Sequence, residues 1–328
     1  MAFKSVTSSP DLFHSFLASP PKNETLETVA TLVHWDRVRD VMAPAYKPRE
    51  NNQVGGREGF DPVLLFKMLL LEQWYALSDG DCVFMAADSL SFRRFLGLSS
   101  SDKVPDDTTL VKFRGRLRTA GLYDKVFAEI TVQMEERGLG IREGSVRIID
   151  ATLIHAAVRP PAKAKGDKPA PPPLDPDADF TVKGGKPIHG FKPHLGQDRE
   201  TGLIVGHVTT PASVHDSQVF EELLDGQPAE VLADKAYDSA ALRAMAKGLG
   251  IVSSVMRKAK RNTPLTAWRK GRNASIGRVR SFIEGTNATL KRFMGCGRAV
   301  YRGLVRVGDQ MTMGVLAYNL RRYCAILG

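Results

Sequence analysis

Cysteine is scarce in this sequence. Its 328 residues hold only Cys82, Cys296 and Cys324, far apart and without CxxC spacing. That argues against a disulfide framework and a cysteine-ligated zinc site, and it fits a reducing cytoplasm. Long apolar runs are also missing. The longest, Val63–Leu71, is broken by Lys67, well short of the roughly 18 residues a membrane span needs. The amino-terminal string MAFKSVTSSPDLFHSF has no continuous hydrophobic stretch of signal-peptide type, so secretion is not expected. No GxxxxGK[ST], HExxH, GxSxG or GxGxxG occurs, so nucleotide hydrolysis, zinc proteolysis, α/β-hydrolase and dinucleotide chemistry lack their usual marks. The seven histidines show no ligand spacing, and no repeat of solenoid period is present.

What is there is an ordinary globular composition with an unusual charge distribution. Hydrophobic residues make up 43% and charged residues 25%, which predicts a folded chain of two domains, or one with a helical appendage. The net charge of +10 is concentrated: Arg257–Arg306 holds fourteen Lys or Arg against one acid, Glu284. The rest of the chain is therefore slightly acidic. So dense a basic band repels itself unless a polyanion relieves it, which points to nucleic-acid phosphate; a solvated basic face is the plainer alternative.

The first 140 residues read as mostly helical. Asp61-Pro62 is an N-cap followed by a first-turn proline, and Val63, Leu64, Phe66, Leu70, Leu71 and Trp74 follow at helical spacing. Ser91–Leu98 supplies another short helix, and Pro105–Thr109 offers several caps before Leu110, Phe113, Leu117 and the C-capping Gly121. Lys112 and Arg114 lie on the polar faces of that helix, which is either a DNA reader or an ordinary solvated helix.

From Ser145 the pattern changes to short β-favoured runs alternating with helices. Strands are expected at 146–154, 191–195, 203–209, 230–233 and 251–255, with helices at 216–224 and 239–248. The order βββαβαβ, followed by long helices, predicts an α/β fold with a mixed sheet and helices on both faces. Pro160–Pro176 holds seven of the nineteen prolines and reads as part of an exposed loop over 159–187.

Three acids stand out. Asp150 shares a strand face with Ile148 and Thr152, apolar company that is costly for a carboxylate unless a metal or a buried Arg meets it; a strand-end aspartate bonded to backbone amides is the structural alternative. Asp234 closes the strand Val231–Ala233, and carboxyl ends of strands are where α/β folds bind ligands. Asp238 reads instead as the N-cap of the next helix. Glu284 lies on a polar helical stripe with Arg280, Asn287 and Lys291, and taken alone would be an ordinary i,i+4 partner of Arg280. Two strand aspartates and a helix glutamate can hold two hard cations for phosphoryl transfer, because such cations take oxygen ligands.

The strings IDATLIHA (149–156), LADKAYDS (232–239) and RSFIEGTNATLKR (280–292) resemble the three catalytic blocks of bacterial insertion-sequence transposases of the DDE type, which have a ribonuclease-H-like core. More narrowly they resemble the insertion-sequence family conventionally numbered five. Its last block reads Tyr, two residues, Arg, three residues, Glu, six residues, Lys; Arg280, Glu284 and Lys291 keep that spacing, while Gly277 stands where tyrosine is usual. HGFKPHL (189–195), TTPASVHDSQVF (209–220) and the stretch from Phe60 through PDDTTL (105–110) extend the similarity over about residues 55–325.

The resemblance implies a helical domain over 1–140 for DNA-end binding or dimerisation, and a ribonuclease-H-like catalytic domain over 141–328 with basic carboxyl-terminal helices. It implies that Asp150, Asp234 and Glu284 bind two Mg²⁺, with Mn²⁺ as a substitute. Arg280 and Lys291 would hold phosphates, and Arg278, Arg292, Lys192, His194, Lys112 and Arg114 are the further residues expected on DNA; His215 would orient DNA or an acid. The partners implied are double-stranded DNA, as terminal inverted repeats and as target, and a second copy of the chain in a synaptic homodimer. No membrane is expected; the location is cytoplasmic, at the nucleoid when DNA-bound. The activity implied is cleavage at element ends and transfer of the 3′ ends into target DNA. The alternatives are a nuclease of the same fold without strand transfer, and a catalytically idle DNA-binding protein derived from a transposase.

Overall fold

A computed structural model of the chain describes residues 23–46, 59–140, 144–161, 172–224, 226, 228–259, 261 and 263–327. The chain divides into two compact units, one of Met1–Gly140 with Leu316–Gly328 and one of Ile141–Val315. Among the described residues no helix is long and apolar enough to cross a membrane.

The first unit contains helices α1 (Glu24–Leu32), α2 (Trp35–Met42), α3 (Pro62–Tyr75), α4 (Asp79–Asp88), α5 (Leu90–Leu96), α6 (Asp107–Thr119) and α7 (Tyr123–Glu136). Their ends follow local chemistry. Asp61 accepts from the Val63 amide at 2.9 Å with Pro62 in the first turn, and Asp106 accepts from the Thr109 amide at 2.7 Å. Gly97 and Gly121 close α5 and α6 in the left-handed region. α3 is apolar nearly all round, so it is buried on every side, with Trp74 Nε1 donating to Ala317 O at 2.7 Å.

The second unit is a seven-stranded mixed sheet with central order β2-β4-β1-β6-β7. Its strands are β1 (Val146–Ala151), β2 (Ile154–His155), β3 (Asp179–Lys183), β4 (Lys186–Asp198), β5 (Ile204–Pro211), β6 (Glu230–Ala233) and β7 (Val252–Val255). The long β4 pairs antiparallel with β1, β2, β3 and β5, whereas β1, β6 and β7 run parallel. Helix α8 (Ala240–Gly248) joins β6 to β7, and α9 (Ala267–Phe293) and α10 (Leu304–Leu327) follow. Ile149, Val231 and Ala233 pack with Phe220, Tyr237, Leu242 and Ala246 on one face of the sheet. Strand alternation sends Asp150 to the other face, where α9 lies with Ile276, Ile283 and Leu290 buried.

Four local expectations need correction. The 216–224 segment forms two 3₁₀ turns, Asp216–Val219 and Glu222–Leu224, rather than a helix. Its apolar residues Val219, Phe220, Leu223 and Leu224 are all buried, and Leu223 O is taken by Arg147 Nη1 at 3.1 Å. So short a piece does not repay helix nucleation. The strand expected at 146–154 breaks after Ala151, with β2 resuming along β4. The loop expected over 159–187 ends in β3, because Gly184 and Gly185 at φ 57° and 76° make the two-residue turn that joins it to β4; residues 162–171 of that loop lie outside the described residues. Finally, Ser239 rather than Asp238 caps α8, its Oγ accepting from the Leu242 amide at 3.1 Å.

Candidate active site

Two parallel strands bring the aspartates together. Ile148 of β1 sits opposite Leu232 of β6, so two residues further on Asp150 and Asp234 emerge side by side at the carboxyl ends, on the α9 face. The Asp150 side chain is 18% exposed. Burial raises its pKa, Arg280 lowers it, and the Asp234 charge raises it again. Asp234 turns one oxygen to the Ala236 amide at 2.6 Å, capping the 3₁₀ turn Lys235–Tyr237. Beneath them Tyr237 is almost wholly buried against Phe220, and burial pushes its hydroxyl pKa up.

Helix α9 supplies the facing wall. Arg280 Nη2 donates to Asp150 Oδ1 at 2.6 Å, Asn287 Nδ2 to Asp150 Oδ2 at 3.1 Å, and Lys291 Nζ to Leu153 O at 2.6 Å. Residues 280, 287 and 291 fall on one side of a 3.6-residue helix, and Glu284 falls within the same stripe. Arg280 is thus a buried cation that meets the buried Asp150. Glu284 itself is exposed. Among the described residues no three acid, imidazole or thiol side chains converge as a ready-made metal site. Two polar atoms of the wall, Arg280 Nε and Asn287 Oδ1, are buried without a hydrogen-bond partner. Asn287 was not among the residues expected to act; its signal was its place on the polar stripe.

Asp238 lies next in chain to this pair. It accepts from the Arg243 and Arg257 guanidiniums and, at 2.8 Å, from the Lys258 amide. Although burial alone would raise its pKa, those partners hold it below the ordinary carboxylate range.

Of the residues expected on DNA, Arg278, Arg292 and Lys112 are exposed. Three others turn inward. Lys192 Nζ is bound to Val214 O at 2.6 Å and to Asp216 at 2.8 Å. His194 has no exposed surface, shares a 3.0 Å hydrogen bond with Thr210 Oγ1, and is pushed by burial down to about 4. Arg114, in the first unit, is buried between Glu72 and Asp79. Lys192 and Arg114 are paired with acids of this chain, and burial keeps the His194 imidazole neutral; in each case the partner that turns the side chain inward is remote in sequence. His215 Nδ1 contacts Ser217 Oγ at 2.8 Å within its own turn.

A family model described as Transposase DDE domain matches residues 141–320, more than half of the chain, and one described as Transposase domain (DUF772) matches residues 14–116. Among solved structures, a piggyBac transposase synaptic complex with hairpin DNA, determined by cryo-electron microscopy, is similar at a TM-score of 0.44 and 12% identity, over 92% of this chain and 79% of that one.

Proposed function

Since the chain belongs to the family of DDE-domain transposases, and is thereby a DNA transposase, we propose that Asp150, Asp234 and Glu284 are its catalytic acids. The observation that carries this is the emergence of Asp150 and Asp234 on adjacent parallel strand ends under the α9 stripe that holds Glu284. On this reading the second unit is a ribonuclease-H-like core.

The family's chemistry depends on divalent metal, and we read the ions as two Mg²⁺, replaceable by Mn²⁺. The residues suit a hard cation: the donors are carboxylate oxygens, Asp150 is desolvated beside the Asp234 charge, and Asn287 Oδ1 is buried and unpartnered. When bound, such ions activate the attacking oxygen and stabilise the leaving one in an in-line displacement. The chain's own groups do the rest. Arg280 and Asn287 fix both Asp150 oxygens before loading, and the Arg280 fork, once free, suits a phosphate. Lys291 sits beside it as a point charge, and exposed Arg278 and Arg292 continue the basic surface along α9. The substrates are double-stranded DNA, namely the terminal inverted repeats of the element and the target. The helical unit binds ends or mediates dimerisation, with Lys112 toward DNA, and synapsis of two ends calls for a homodimer at the bacterial nucleoid.

The test is a plasmid assay with DNA flanking this gene, Mg²⁺ or Mn²⁺, and Asp150→Asn, Asp234→Asn and Glu284→Gln in parallel. Metal-dependent cleavage with joined products, lost in all three variants, is expected. Cleavage without joining would point to a nuclease, and binding without cleavage, unchanged by the substitutions, to an idle DNA-binding protein.

A further inference from the structure

The β3–β4 hairpin is the element of the second unit that the active-site geometry leaves unused. Lys186–Ile188 pair with β3 and with no other strand among the described residues, so this end of β4 leaves the main sheet as a two-stranded ribbon. Its root is held. Gly190 lies so close to β2 that a Cβ there would collide with Ile154 O, and the Phe180 ring rests on His189 with centroids 4.8 Å apart. Beyond that root both faces are open. Phe180 is 44% and Val182 70% exposed, with Pro187 opposite Val182 on that face.

The other face is the informative one. Lys183 and Lys186 are direct cross-strand partners next to the Gly184-Gly185 turn, and both are exposed. Like charges directly opposite each other destabilise a sheet, and among the described residues neither lysine has an ion-pair partner. The root of the hairpin adjoins the α9 wall, because Gly190 abuts Ile154 O and Lys291 Nζ holds the carbonyl of the preceding Leu153 at 2.6 Å; the pKa of Lys291 is lowered first by burial and then by the charge of Lys183.

We propose that the β3–β4 hairpin is a DNA-gripping ribbon in which Lys183 and Lys186 clasp phosphates of the strand lying at the active site. The proposal rests on the transposase reading and adds to it a pair of residues and an element. A polyanion is the occupant the charge pattern calls for, since each phosphate relieves a repulsion the free protein carries. A two-stranded ribbon with small turn residues also has the dimensions of the major groove, where its apolar face with Val182 and Phe180 would meet base edges and thymine methyls.

The experiment compares the full chain with Lys183→Gln/Lys186→Gln and Lys183→Arg/Lys186→Arg on duplexes from both flanks of the gene, over a salt series. Thermal unfolding and Mg²⁺-dependent nicking are followed in parallel. The glutamine pair should weaken binding at least tenfold and flatten the slope of log affinity on log salt by about 2, one for each lost phosphate contact. Free of DNA, it should melt no lower than wild type, because a repulsion has been removed. The arginine pair should keep wild-type affinity. A glutamine pair with wild-type affinity and slope, while wild type nicks the flanks, overturns the hairpin proposal and leaves the transposase reading standing. A wild-type protein that neither binds nor nicks the flanks overturns the underlying reading and this one with it.

Discussion

Asp150 shows what one residue asks of its neighbours. Its carboxylate is largely removed from water beside a second carboxylate, and Arg280 and Asn287 supply the compensation. Removing one partner of a buried pair leaves an uncompensated charge, typically a loss of about 3–5 kcal/mol, and the partial exposure here places Arg280→Ala at roughly the lower end. Urea unfolding should show that loss. Mg²⁺ should then restore more stability to the variant than to wild type, since a cation can take the place of the guanidinium. Equal Mg²⁺ responses in the two proteins would contradict the assignment of Asp150 as a metal ligand.

His194 makes the opposite demand. Its folded pKa is depressed by burial to about 4, against about 6.5 in an unfolded chain. Between those values the unfolded state binds the extra proton, so the histidine's contribution is intact above pH 6.5. It is lost as pH falls toward 4, at about 1.4 kcal/mol per pH unit. A pH series of unfolding free energies should therefore fall more steeply on the acid side for wild type than for His194→Gln, and parallel curves would show that the imidazole is not the cause. Neither its burial nor that of Arg114 could be read from the sequence. Arg114 meets Glu72 and Asp79, 42 and 35 positions away, and Lys192 meets Asp216, 24 positions away. Alternation and helical periodicity tell which face a charge is on, but only the tertiary partner tells whether that face is wet.

At the scale of elements, what was legible followed local rules. The caps at Asp61 and Asp106, the strand Glu230–Ala233 and the helix ending at Gly248 are decided within a few residues. The place of Asp234 after the strand Val231–Ala233 was legible in the same way, whereas the pairing of β1 with β6, which sets Asp150 beside it, is a long-range contact that no local rule gives. The β3 strand was hidden behind proline, since a proline-rich approach says nothing of the Gly-Gly turn after it. The approach to β3 is anchored by a long-range contact of its own. Asp175, wholly buried, accepts from the Gly303 amide through both oxygens at 3.2 Å, and Asp177 accepts from the Leu304 amide at 2.8 Å. These are helix caps supplied from more than 120 residues away, at the amino terminus of α10. Asp175→Ala leaves a buried amide unpaired and should cost about 1–2 kcal/mol, whereas Asp175→Asn keeps an acceptor and should cost less. Equal losses for the two in urea unfolding would mean that volume, and not capping, is what Asp175 supplies.

For the whole molecule the basic band is the dominant feature, and the structure divides its labour. Arg257 is tied to Asp238, Arg272 to Val255 O at 2.9 Å and Arg280 to Asp150, so these charges serve the fold before they serve a ligand. Arg278 and Arg292, on the same helix, are exposed and free for phosphate. The total charge therefore overstates the number of phosphate contacts. Each contact made to duplex DNA releases counterions and contributes about −0.9 to the slope of log affinity on log salt. Arg278→Gln/Arg292→Gln should reduce the slope by about 2 and weaken binding to all duplexes alike, because phosphate contacts carry no sequence information. The melting temperature should stay within about a degree, since surface substitutions away from packed features are worth less than about 0.5 kcal/mol. A slope that did not change, measured on the same flanking duplexes, would move the phosphate path off α9 and onto other basic segments, and a loss confined to one DNA sequence would make these arginines readers of bases instead.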